Sequence, residues 1–116
     1  MKRINLLDQA NTITHLTSNN NYTTVHLSDS TTWLLAKTLK ACLLELKDFV
    51  RIHRQFAVNP AYVTATRLLA PKLAEIAIGD TWMPVSRRLF ADVDQKLGLA
   101  SVSRGRWHYV AQQRNS

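Results

Sequence analysis

Cysteine is nearly absent from this 116-residue chain: with Cys42 alone, neither an intramolecular disulfide nor a multi-cysteine zinc module can form, and a reducing compartment is favoured. Glycine is almost as scarce. Three glycines cannot build the phosphate cradle of nucleoside triphosphatases or dinucleotide-binding folds, which need several at a strand-to-helix turn. No stretch has the length and apolarity of a membrane span, and Met1-Lys2-Arg3 leads into neither the apolar run nor the cleavage site of a secretion signal. A soluble cytoplasmic protein is expected. Acidic residues are also short: eight Asp and Glu against fifteen Lys and Arg give a net charge of +7. Anionic partners follow, nucleic acid first and membrane surface second.

What is present is ordinary globular material, 46% hydrophobic and 20% charged, enough for one core and too little chain for two. Short β-branched and apolar runs at residues 4–7, 13–17, 22–27 and 32–35 read as strands, separated by turn-forming Asp, Asn and Ser. Meandering antiparallel pairing is expected. Leu39, Cys42, Leu43 and Leu46 then follow helical spacing, with Lys40, Glu45 and Lys47 on the other side. Strands resume at 49–52, 63–68, 73–78 and 81–85, the last two joined by Gly79-Asp80. Ser86 stands where an N-cap would, before Leu89, Phe90, Val93 and Leu97, so a second helix is expected to run to Gly98. Residues 1–97 form the expected domain, and 98–116 a basic tail with Arg104, Arg106 and Arg114. Trp107, Tyr109 and Val110 leave open a docked edge strand there.

Candidate chemistry is sparse. Cys42 lies on the apolar stripe of the first helix, where a thiol is a small inert core group. His15, His26, His53 and His108 show no paired helical spacing and no acidic cluster, so no metal site is expected. A hydrolase using His53 with Asp29 or Asp48 lacks a nucleophile at defined spacing. Neither an enzyme nor a cofactor is expected. Basic and amide side chains do gather at three turns, 19–21, 51–55 and 86–88. Arginine matches guanine O6 and N7 in the major groove, asparagine and glutamine match adenine, and a helix start at Ser86 adds free N–H groups for a phosphate.

The run Phe49-Val50-Arg51-Ile52-His53-Arg54-Gln55-Phe56-Ala57-Val58-Asn59 resembles the F-x-R-x-H-R-S-[YF]-x-V-N signature of the LytTR family of DNA-binding domains. Upstream, Asn20-Asn21-Tyr22-Thr23-Thr24-Val25-His26-Leu27 is similar to its G-N-Y-x-x-[IV]-x-[LT] strand. Downstream, Gly79-Asp80-Thr81-Trp82-Met83-Pro84-Val85-Ser86-Arg87-Arg88 is similar to its G-x-x-[IVM]-P-V-S-R-R stretch. Order and spacing agree from Ile4 to Leu97.

The resemblance implies a mostly β, elongated antiparallel domain of short sheets with one or two short helices, which inserts loops into successive major grooves of double-stranded DNA to regulate transcription. Carried over, base contacts fall on Asn21, Arg54, and Arg87 or Arg88, with His53 and Gln55 on phosphate or sugar. Lys37 and Lys40 are expected to attract any duplex. Departures fall on the contact loops. Gln55 replaces serine and lengthens that loop's reach; Asn20 replaces glycine but tolerates a left-handed backbone; Phe56 replaces tyrosine and is expected in the core; Asn59-Pro60 is expected to turn the chain.

The family commonly joins this domain to a receiver domain or a membrane segment, and neither stands in this sequence. Two arrangements stay open, a free-standing regulator, toward which Met1 leans, and an output domain separated from its receiver. Partners compatible with either are a second copy on repeated sites and a separate regulatory protein. The competing class is a non-enzymatic module whose basic face meets an acidic protein or RNA, anchored by Trp82 or Trp107.

Overall fold

The computed structural model describes residues 5–99 and the backbone of Trp107 and His108. Its first described segment departs from the strand expected at 4–7. The Asn5 side chain accepts hydrogen bonds from the backbone N–H of Leu7 (3.0 Å) and Asp8 (3.4 Å), closing a local turn that removes these residues from any ladder. Leu6 is thereby buried and Leu7 left outside; Ile4 lies beyond the described residues. A 3-10 turn, Ala10–Thr12, leads into the first strand.

Sheet one contains β1 (Ile13–Asn19), β2 (Tyr22–Leu27), β3 (Thr32–Leu35), β4 (Val50–His53) and β5 (Phe56–Val58), all antiparallel, in the order β3-β2-β1-β5-β4. The meander expected of the first strands holds for β1 to β3. β5, for which no strand was expected, inserts between β1 and β4, so the signature motif is a hairpin added to the edge of the meander. Helix α1 (Leu39–Glu45) lies between β3 and β4, capped by the Thr38 hydroxyl on the N–H of Ala41 (3.1 Å). It closes one face of this sheet, Leu39, Cys42 and Leu46 packing with Leu6, Ile13, Leu16, Val25 and Ala57. Burial pushes the Cys42 thiol up from its ordinary pKa, the signature of an inert core thiol.

Sheet two follows a 3-10 turn, Pro60–Tyr62, and contains β6 (Ala65–Ala70), β7 (Leu73–Ile78) and β8 (Thr81–Val85) in the order β8-β7-β6. β6 starts two residues later than the sequence suggests, because Val63 ends the preceding turn and is buried beneath it. β9 (Trp107–His108) pairs with the outer edge of β6, Arg67 opposite Trp107. Arg104, Arg106, Tyr109, Val110 and Arg114 lie outside the described residues. Ser86 caps a short 3-10 turn, Arg87–Leu89, which runs into α2 (Phe90–Leu97) and ends on left-handed Gly98, as the sequence predicts. The second core joins the sheets: Val50, Ile52 and Val58 meet Leu68, Ile76, Met83, Val85 and Val93, with Phe56 packed at its margin.

Asn59 fastens these layers together. Its Oδ1 accepts from Ala61 N–H (3.0 Å), turning the chain at Pro60, while its Nδ2 donates to the carbonyls of Ile13 (2.9 Å) and Ala10 (3.3 Å). Asn59 is buried, so Asn59→Ala leaves a backbone carbonyl without its donor and is expected to cost about 1–3 kcal/mol. A fall in urea midpoint at constant slope is the confirming result; an unchanged midpoint removes the bond from the account. At the β6–β7 turn, Lys72 holds φ of +62° after Pro71, a conformation that suits glycine. Lys72→Gly is expected to raise stability by about 0.5 kcal/mol, strain relief being partly offset by the freer unfolded chain. A thermal midpoint that drops instead shows the backbone there to be unstrained.

Candidate nucleic-acid interface

Antiparallel register decides which turns share an edge. Asn19 pairs with Tyr22, so Asn20 and Asn21 form a two-residue hairpin tip, and only Asn20 takes positive φ (+59°). That is the arrangement of a type II′ turn, whose first central position is usually glycine, and asparagine tolerates it as expected. Thr17 pairs with Phe56, which sets the β4–β5 turn beside this tip, and Ser18 N–H donates to Gln55 O (2.8 Å) across the gap. Thr23 pairs with Leu35 and its hydroxyl donates to Lys37 O (2.7 Å), bringing the β3–α1 link to the same end. Asp29 is left at the opposite end, in the β2–β3 turn.

The β4–β5 turn is braced from beneath. Arg51 Nε donates to His53 O (3.2 Å) and its Nη2 to Arg54 O (2.6 Å), so one guanidinium holds two carbonyls of the turn it supports. A bulge between Arg51 and His53 leaves Ile52 in the core and shifts the turn relative to β5. His53 Nδ1 accepts from Gln55 N–H (3.1 Å), which puts the neutral ring's proton on Nε2. Partial burial, then the guanidiniums of Arg54 and Arg51, hold His53 below the ordinary histidine pKa. Its ring leans on Phe56, centroids 5.3 Å apart.

The third corner arrives from sheet two. Ser86 N–H donates to Ile52 O (2.8 Å), and the Ser86 hydroxyl accepts from Leu89 N–H (3.3 Å), pinning the Arg87–Leu89 turn against β4. Together the corners surround an open depression of about 410 Å³ lined by Ser18, Asn20, Arg51, Arg54, Gln55 and Arg88. Burial, then the charges of Arg88 and Arg54, hold Arg51 below its ordinary pKa. Among the described residues, no carboxylate pairs with Arg51, Arg54, Arg87 or Arg88. Such an uncompensated cluster suits an anion.

Of the residues singled out in the sequence, Arg54, Gln55 and Arg88 therefore meet at one depression. Asn21 and Arg87 stand exposed one position away, and His53 sits half-buried behind the turn. Lys40 is exposed near the start of α1, whereas the Lys37 ammonium is engaged by Glu45. Asn20 and Arg51 fall within the turns singled out in the sequence but were given no contact there, and Ser18 lies outside them. Trp82 is half-buried under the Arg67 guanidinium, 4.3 Å from its ring centre, so that ring face is occupied. No group of three or more metal-ligating side chains occurs among the described residues, and no helix there is long and apolar enough to cross a membrane.

The sequence profile of the LytTr DNA-binding domain matches residues 3–98. No curated protein sequence matches the chain. Among solved structures, the fold is similar to the LytTr DNA-binding domain of a protein described as a methyl-accepting/DNA response regulator from Bacillus cereus. The TM-score is 0.65 at 21% identity, over 76% of this chain and 83% of that one.

Proposed function

The chain belongs to the LytTr family of DNA-binding domains, and from that premise we propose that it binds specific sites on duplex DNA to regulate transcription, reading bases with three turns along one edge. The observation that carries this reading is the convergence of Asn20, Arg54, Gln55 and Arg88, from three separate elements, on one depression whose arginines pair with no carboxylate among the described residues. The Asn20-Asn21 tip and the Arg54-Gln55 turn are centred two strands apart, about 10 Å, which fits within the roughly 12 Å of one major groove. Beyond β4, the Arg87–Leu89 turn offers Arg87 to the next groove, while Arg88 lines the depression. Positive net charge draws the protein to any duplex, and amide and guanidinium tips select among them.

Selection of bound sequences from a random duplex pool, followed by titration of the winner at several salt concentrations, tests this reading. The expected result is an enriched motif and an affinity that falls linearly in log salt, about 0.9 per phosphate neutralised. A pool that stays random after repeated rounds, or preference for an acidic protein or RNA over duplex in competition, overturns it.

A further inference from the structure

The two arginines at positions 87 and 88 are adjacent in sequence, yet the fold gives them different surroundings. Successive side chains of a 3-10 turn leave the backbone about 120° apart, so the two arginines start out in different directions. Arg88 lines the depression with Arg51; Arg87 does not. Arg51 is tied down by Nε and Nη2, which keeps its guanidinium from reaching into a groove but leaves Nη1 with no acceptor among the described residues. Arg88 likewise has none. Two guanidiniums held close together without a carboxylate repel each other, and a tetrahedral dianion or phosphodiester between them removes that repulsion while accepting from both forks. Ser18, Asn20 and Gln55 add polar groups around the rim.

We infer that the Arg51–Arg88 depression is a seat for a single DNA backbone phosphate, so that Arg88 fixes register without reading sequence and Arg87 is the base reader of the pair. This rests on the proposed duplex binding. It divides the labour inside the double-arginine motif and gives Arg51 two tasks, bracing the β4–β5 turn and holding the phosphate. Arg54, at the apex of that turn, is then positioned by the anchored backbone beneath it.

Single methylphosphonate substitutions, each removing one negative charge, test the seat when placed in turn along the selected duplex and bound to the wild type, R88A and R87A. The wild type is expected to lose on the order of tenfold at one phosphate in particular. R88A should show a similar loss on unmodified selected and scrambled duplexes alike, a salt slope shallower by about 0.9, and no further loss at that phosphate. R87A should keep its sensitivity there and lose preference for the selected site. R88A that retains the wild-type phosphate profile, or that weakens the selected duplex alone, overturns the seat while leaving duplex binding intact. A wild type that binds no duplex overturns the functional reading, and the seat with it.

Discussion

Replacement of Arg54 or Arg87 by alanine is expected to lower preference for the selected site over a scrambled duplex by about 1–3 kcal/mol each, roughly 5- to 150-fold. Both side chains are exposed, neither is committed to a carboxylate among the described residues, and both stand on backbone fixed from below. Arg54 rides on a turn whose carbonyl is held by Arg51; Arg87 starts a turn pinned by Ser86 to Ile52. Rigid presentation matters because a bidentate contact to guanine discriminates only when the fork is aimed before binding. Lys40→Ala serves as the contrast, expected to weaken all duplexes by a similar small factor through the loss of one mobile charge. Lys37→Ala should do less still, since Glu45 already engages that ammonium. Equal losses on selected and scrambled duplexes for Arg54 and Arg87 would mean that their guanidiniums bind phosphate only.

Much of the scaffold was legible because local chemistry and global fold agree. β2, β3, β7 and β8 each adjoin a turn containing Asn, Asp, Ser or Gly and run with the strand residues expected of them. Ser86 and Gly98 mark their helix ends by capping chemistry alone. Two failures have a common cause, a local signal masked by its neighbours. β5 is three residues long and follows a turn made by Arg54 and Gln55, neither a usual turn former, so its existence depends on Arg51 closing that turn and on β1 alongside. At residues 5–7 the apolar pattern suggested a strand, but the Asn5 side chain offers the backbone a nearer partner. The site shows the same division. Arginines and amides at three turns can be read from sequence, but the approach of Arg88 to Arg51 cannot, because it depends on a tertiary hydrogen bond from Ser86 to Ile52.

Acid is expected to unfold this protein earlier than its carboxylates alone would allow. His15 and His26, cross-strand neighbours on β1 and β2, stack with ring centroids 4.0 Å apart and planes 6° from parallel. Burial, and secondarily the charge of His26, lower His15 from 6.5 to about 4, and burial lowers His26 as well. Thr14 Oγ1 lies 2.8 Å from His15 Nδ1 and Thr17 Oγ1 3.1 Å from His26 Nε2, hydroxyl partners that suit neutral rings. Between pH 6.5 and 4 the unfolded chain binds a proton at His15 that the folded chain refuses, so stability is complete above that window and declines as pH falls through it. One pKa unit corresponds to about 1.4 kcal/mol, and with partial solvent access at the ring the whole window should cost about 2–3 kcal/mol. Asp29, held low by its hydrogen bonds from Thr31, exerts its effect only below its ordinary value of 3.8, outside this range. Denaturant midpoints measured at pH 7 and pH 4.5 for the wild type and His15→Gln separate the two sources. Glutamine keeps a polar side chain at that position but cannot take up the proton, so its midpoints should differ less across the interval. An equally steep decline in His15→Gln assigns the acid sensitivity to other groups.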